Sequence, residues 1–373
     1  MGKIKVLMVL GNTRRGGTQA FIMNLLRDID KRKFQIDFAI NIDVEGGWGP
    51  EIRSLGSNIY ILPRFNVKNW IFFEKAWDNF LAKHPYDIVH GHTTNSAGIY
   101  LKIAKKHGCK TIAHVHSTGF RGGFIERITK RFFSKLTKKQ ADYWLACSDK
   151  AAQFLYGNDF KTYPYYYEMP NSIKVESYCF EEERRNVLRK ELGINDKTLL
   201  IGHVGTFSEP KNHKHILNVF KEILINNPDG KLLLIGEGYL ENEIFDQAKD
   251  MGIFNRIINL KNIHNVYDYM MAMDVFIFPS LFEGFGMVAL EAQTSGLKTI
   301  MSDVVPTATH LTDLATPLSL DAPIAKWAEE CLNCKVENRQ DYNYLIKQTK
   351  YDLEKNVRYI SNLYEQLLET KGL

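Results

Sequence analysis

Glu283 and Glu291, separated by seven residues, bracket the segment Gly284-Phe285-Gly286-Met287. The apolar run Asp274–Pro279 ahead of them reads as a buried strand ending at a proline. Met287–Gln293 behind them is built of good helix formers. Two glycines between strand and helix permit a tight turn and let a ligand come close to the backbone. A helix start offers N–H groups without intrahelical partners and the positive end of the dipole, which suits a phosphate. Carboxylates repel phosphate, so the two glutamates suit neutral hydroxyls on the same ligand, as a sugar would carry. Together these groups fit a sugar phosphate or a nucleotide sugar. Both glutamates sit on one strand-turn-helix, so they are not the acid and nucleophile of a glycosidase. Lys211, just ahead of another expected helix, adds a point charge for a phosphate.

Histidines form a second group. Asp87–His92 and Thr111–His116 read as strands, each ending in His-x-His. Alternate strand residues share a face, so each pair can converge. Four imidazoles would suit zinc, whereas histidines satisfied by neighbouring backbone at the edge of a core need no metal. Both readings stand, and strand ends are where α/β folds place their sites. Cys331 and Cys334 form a lone C-x-x-C with no second pair to complete a four-ligand site, and read as small apolar residues on one helix face. Residues 120–140 are basic and amphipathic, with Arg127, Lys130, Arg131 and Lys135 among seven cations against one acid, Glu126. Such a segment suits an anionic membrane surface, or the solvated side of a packed helix. No motif points to nucleic acid.

These groups need a scaffold. A chain of 373 residues is long enough for two or three domains, and its formal charge of +5 is mild. Five scattered cysteines point to a reducing compartment rather than a disulfide framework. No run approaches the roughly 18–20 apolar residues of a membrane span. The stretch Lys3–Gly11 is too short for a signal peptide and passes directly into a glycine turn, so it reads as a buried strand. A cytoplasmic location follows. Strand, glycine loop and helix recur: 4–10 with Gly11–Gly17, Leu199–Val204 with Gly205–Lys211, and Lys231–Ile235 with Gly236-Glu237-Gly238. Strands are also expected at Phe34–Ile42, Asn58–Leu62, Tyr143–Ser148 and Arg256–Leu260, with Lys298–Ser302 the last. The first loop is not G-x-G-x-x-G, so the dinucleotide fingerprint is absent. The expected class is α/β, with domains at 1–175 and 176–345 and a helical tail at 346–373 packing back toward the first. Two such halves would enclose a cleft.

This combination resembles the family 4 retaining glycosyltransferases of the GT-B fold, two Rossmann-like doubly wound domains facing across a cleft with a C-terminal helix crossing back. Bacterial capsule and exopolysaccharide enzymes are the nearest in kind. The resemblance spans the chain through Gly16-Gly17, His116, Pro170-Asn171-Ser172-Ile173, Gly205 with Lys211-Asn212, and Gly236-Glu237-Gly238. Its most specific part is Glu283-x7-Glu291. It implies that Glu283 contacts the donor sugar and Glu291 the ribose hydroxyls, with the amides of Gly284, Phe285, Gly286 and Met287 on sugar and diphosphate. Gly16, Gly17 and Lys211 would hold the diphosphate, and His116 would lie near the reacting sugar. It further implies sugar transfer from a nucleotide sugar, UDP-linked by expectation, to a hydroxyl of a lipid-linked saccharide, with retention and without metal or other cofactor. A place at the inner face of the plasma membrane would follow. One departure stands out: the family usually has arginine straight after the glycine of the Gly205 loop, and this chain has Thr206. A catalytically silent partner subunit and a sugar-nucleotide epimerase are the competing readings.

Overall fold

The computed structural model describes residues 2–369 apart from 15, 45–46, 95, 118, 120–134, 262 and 264. Residues group into two compact units, Met1–Ile173 with Lys350–Leu373, and Lys174–Thr349. The first holds a seven-stranded sheet in the order β3-β2-β1-β4-β5-β6-β7. Its strands are β1 (Ile4–Val9), β2 (Phe34–Ile40), β3 (Ile59–Ile61), β4 (Ile88–Gly91), β5 (Lys110–Val115), β6 (Tyr143–Ala146) and β7 (Tyr166–Glu168). The second holds six strands in the order β10-β9-β8-β11-β12-β13. These are β8 (Leu200–Val204), β9 (Lys231–Ile235), β10 (Ile257–Leu260), β11 (Val275–Phe278), β12 (Lys298–Ser302) and β13 (Ala315–Leu318). Every described pairing is parallel.

Parallel strands carry helices on both faces, so their residues bury on both sides and read as continuous apolar runs. The four buried residues of β11, Val275–Phe278, show this. The strand order reverses between β1 and β4 in one sheet and between β8 and β11 in the other. Ligands of doubly wound sheets sit outside the carboxyl ends at such switch points. The loops carrying Gly16, His92, Lys211 and Glu283 all follow strands that flank them.

At the opposite end of the second sheet, Asp274 fixes the register of β8 against β11. Its carboxylate accepts from the Leu200 amide at 2.7 Å, Arg185 at 2.5 Å and Arg189 at 3.2 Å. Only Val275–Ile201 and Phe276–Gly202 then pair directly. A Cβ at Gly202 would lie 2.0 Å from the Met273 sulfur, so any larger residue here displaces the Met273 side chain.

Two short strands were not expected. Tyr166–Glu168 lies in the aromatic stretch after Asp159, and Ala315–Leu318 adds an edge beyond β12, so Lys298–Ser302 is not the last strand. Both are sheet edges, short and incompletely buried, and Pro317 is tolerated in such a position. Two helices lie on either side of the return to the first unit. Gln340–Lys347 belongs to the second unit, while Leu353–Glu369 belongs to the first. The latter sends Ile360, Leu363 and Tyr364 into the cluster that also holds Phe21, Phe34 and Ile36.

The β8 and β9 loops touch at Gly236, whose φ is 148° and whose added Cβ would lie 2.1 Å from the Gly205 carbonyl oxygen. Gly236→Ala should therefore cost about 2–4 kcal/mol of stability. Gly284→Ala, where a Cβ meets nothing within 4 Å, should cost little. Urea denaturation of both variants checks this; equal midpoints would mean the two loops can part.

Candidate functional site

The second unit brings Lys211 and Glu283 together. The loop after β8 ends in a 3₁₀ turn, Glu209–Lys211, and Asn212 takes a left-handed conformation at φ 55° to start helix His213–Asn226. Asn212 donates to the Pro279 carbonyl at 3.1 Å, and the Leu281 amide donates to that of Pro210 at 2.8 Å. The two loops are thereby stitched side by side. Across the seam the Lys211 ammonium donates to Glu283 Oε1 at 2.5 Å and lies 4.9 Å from the centre of the Phe278 ring. Ser280 Oγ donates to the same carboxylate oxygen at 2.9 Å. Lys211, expected on a phosphate, is thus neutralised internally by Glu283.

Gly286 precedes helix Met287–Thr294 with φ at 93°, a conformation that favours glycine. No side chain caps the amides that follow, and the first turn holds no acid. Gly284 is exposed while Gly286 is buried. The Thr309 hydroxyl donates to the Phe285 carbonyl and holds the turn from behind. One helical turn on, Glu291 faces the buried phenol of Tyr178. Burial pushes the Glu291 carboxyl up to about 7, while the hydrogen bond from Tyr178 pulls it down. Thr206 is exposed beside Gly205.

In the first unit, Gly16 is extended and caps helix Gly17–Asp28 without any side-chain hydrogen bond. A Cβ on Gly17 would face the Asn171 amide at 3.6 Å. All four histidines converge. The rings of His90 and His92 stack at 4.3 Å, and those of His114 and His116 at 4.1 Å. His90 Nδ1 lies 2.8 Å from the Tyr364 hydroxyl, and His92 Nδ1 2.9 Å from His116 Nε2. Burial holds all four rings well below the usual imidazole range, to about 3 for His90 and His116. They are therefore neutral at neutral pH. His90, His92 and His114 each offer a ring nitrogen within 4.8 Å of the others, the spacing of a loose metal set. Tetrahedral zinc at 2.0–2.1 Å from each nitrogen requires about 3.4 Å between ligands, so the stacked rings would have to close in.

Sequence reasoning missed several partners. Tyr178 and Tyr364 lie far in sequence from the residues they touch and Ser280 is a plain serine, so spacing carried no signal. It also missed a cavity of about 250 Å³ lined by Gly11, Asn12, Asn41, Arg64, Thr93 and Ser96, with Ile42 and Phe65 at its side. Of the basic segment, Arg127, Lys130 and Arg131 lie outside the described residues. Lys135 is exposed, within the described helical residues 135–140.

Comparison with known proteins matches residues 184–352 to the family model Glycosyl transferases group 1 and residues 15–159 to Glycosyltransferase Family 4. EpsF of Bacillus subtilis (strain 168), named as a glycosyltransferase, is 31% identical over 371 residues, covering 96% of each chain. An Escherichia coli UDP-Gal:alpha-D-GlcNAc-diphosphoundecaprenol alpha-1,3-galactosyltransferase is 28% identical over 60% of this chain and 59% of its own. Among solved structures, Anabaena HepE in complex with UDP superposes with a TM-score of 0.79 at 15% identity, over 97% of this chain and 100% of that one.

Because the Glu291 carboxyl is raised from 4.5 to about 7, the folded chain binds more protons than the unfolded one between those values. Stability contributed by this group is therefore present at low pH and lost as pH rises toward 7, by up to about 3 kcal/mol. Glu291→Gln should flatten that decline and melt higher than the parent above pH 7. Thermal melts across pH 5–8 check it; parallel curves for both proteins would refute the buried, raised carboxyl.

Proposed function

The chain belongs to glycosyltransferase family 4 and has the GT-B fold of two Rossmann-like domains, and from that premise we propose that it moves a sugar from a UDP-linked donor to a hydroxyl of a lipid-linked saccharide in cell-surface glycan synthesis. The observation that carries this reading is the stitched pair of loops in the second unit. It sets Lys211, Glu283, Ser280 and a helix start free of side-chain caps at one switch point. Support for the donor comes from HepE, which holds UDP at a TM-score of 0.79. Support for the acceptor comes from the Escherichia coli relative, whose own acceptor is a diphosphoundecaprenol-linked sugar.

In this reading the anomeric carbon–oxygen bond to the diphosphate breaks as the acceptor oxygen bonds to that carbon on the same face, the acceptor proton passes to the departing diphosphate oxygen, and configuration is retained. Charge grows on the leaving diphosphate. Lys211 turns from Glu283 to that charge, and the amides of Gly284, Phe285, Gly286 and Met287 meet sugar and phosphate. These groups take the place of a metal ion. Released from the ammonium, Glu283 accepts hydrogen bonds from the donor sugar, and Glu291 from the ribose hydroxyls. His116 positions the reacting sugar. A ring held near 3 and bonded to His92 is too weak a base to take the acceptor proton. Arg127, Lys130, Arg131 and Lys135 face an anionic membrane.

Thr206 favours one other reading, a partner subunit that binds without catalysing, because a bidentate arginine for the diphosphate is missing. Binding and hydrolysis of a panel of UDP- and GDP-sugars, with and without EDTA, separates the two. Slow, EDTA-insensitive UDP release is the expected result, with Lys211→Ala and Glu291→Ala each weakening donor binding roughly tenfold or more. No binding to any donor would overturn the transferase reading, and Thr206→Arg would then be the substitution to examine.

A further inference from the structure

The first unit exposes an apolar surface that its core does not need. Helix Trp70–Lys83 buries Phe73, Trp77, Phe80 and Leu81, a complete inward stripe. Its first turn nonetheless reads Trp70-Ile71-Phe72-Phe73, apolar all round, and Ile71 and Phe72 are 72% and 62% exposed. A helix apolar on every side belongs in an apolar environment on every side. Lys68, Ile71, Phe72 and Lys75 fall at i, i+3, i+4 and i+7, one face of the continuing turn and helix. Val67 and Ile61 add 50% and 66% exposed side chains, and Trp70 is 39% exposed.

The loop before the helix is tied to it. Asn66 and Asn69 cap each other at 2.9 Å, Asn69 donates to the Arg64 carbonyl at 2.9 Å, and Phe65 stands edge-on to Phe73 at 5.3 Å. Arg64 and Phe65 in turn line the 250 Å³ cavity together with Ile42, itself 54% exposed. The apolar surface and the cavity therefore share an edge.

We infer that residues 61–75 dock this chain on an anionic lipid bilayer, Ile71, Phe72 and Val67 entering the headgroup boundary while Arg64, Lys68 and Lys75 meet lipid phosphates. Within residues 61–75 the one acidic residue, Glu74, is half-buried, against the three cations Arg64, Lys68 and Lys75. Among the described residues no carboxylate pairs with Arg64, Lys68 or Lys75. Exposed aromatics interleaved with cations are what an interfacial membrane surface requires, whereas protein interfaces are depleted of lysine. The inference rests on the proposed lipid-linked acceptor only for its purpose. A bilayer at this edge would present the saccharide head of such a lipid to the neighbouring cavity.

Flotation of the full chain with vesicles of phosphatidylglycerol and phosphatidylethanolamine tests it, with far-ultraviolet circular dichroism and thermal melts as the measure of an intact fold and UDP binding scored separately. Ile71→Ser with Phe72→Ser should weaken vesicle binding about tenfold or more. Lys68→Ser with Lys75→Ser should weaken it chiefly at low salt. A combined Arg127, Lys130, Arg131 and Lys135 to Ser variant, run in parallel, should leave a vesicle-bound fraction that the Ile71/Phe72 change removes. Unchanged flotation of the Ile71/Phe72 variant overturns the proposal. So does a parental dimer that this variant converts to monomer while flotation stays the same, since the surface would then belong to a second copy. Lost flotation with no UDP binding by the parent either would sustain the docking surface and sink the transferase reading alone.

Discussion

Asp274 is the fixed point of the second unit. One carboxylate takes the Leu200 amide and two arginines, and so sets β8 against β11 at the end of the sheet far from the ligand loops. The remaining strand residues carry that register forward. The loops after β8 and β11 consequently emerge side by side, and the Asn212–Pro279 and Leu281–Pro210 bonds can form. A slip of one residue would send alternate side chains to the other face and separate Lys211 from Glu283. Arg189 is wholly buried in serving this anchor, and donates its second nitrogen to the Asn195 and Thr198 carbonyls. Both terminal nitrogens of this buried guanidinium are paired, while its Nε is left without a hydrogen bond.

Opposite charges at the ligand end then make a site that is neutral before anything binds. Lys211 rests on Glu283, and the flanking helix start supplies only partial positive charge. In the proposed donor complex an anionic ligand would exchange one counter-ion for another, so it need not bring a new charge into a half-buried place. The carboxylate it displaced would become an acceptor for hydroxyls on that same ligand. On that reading one ion pair would prepare both halves of a molecule that is phosphate at one end and polyol at the other.

Much of this was legible in the residues. Buried parallel strands announce themselves as apolar runs, and the glycines at 205, 236 and 286 marked the tight loops that follow strands. His-x-His at two strand ends was readable as a face, though not that four rings would stack into one array held by Tyr364 from the far end of the chain. The edge strands β7 and β13 were hidden because a half-exposed edge needs neither length nor hydrophobicity. Glu291 showed its helix but not its environment. The phenol that contacts it, Tyr178, comes from the 3₁₀ turn Val175–Tyr178 more than a hundred residues earlier. Contacts of that kind depend on topology, and spacing along the chain does not encode them.

The division of the chain sets an order of assembly. Ile173 and Asp352 lie side by side as a bridge, marking where the chain leaves the first unit and where it returns. The second unit, 174–349, is one uninterrupted stretch, whereas the first lacks Ile360, Leu363 and Tyr364 until residues 350–373 arrive. During synthesis at about 5–20 residues per second, the second unit is complete while the earlier-made sheet still exposes Phe34 and His90 for roughly one to five seconds. The half that is translated first is therefore the half that finishes last.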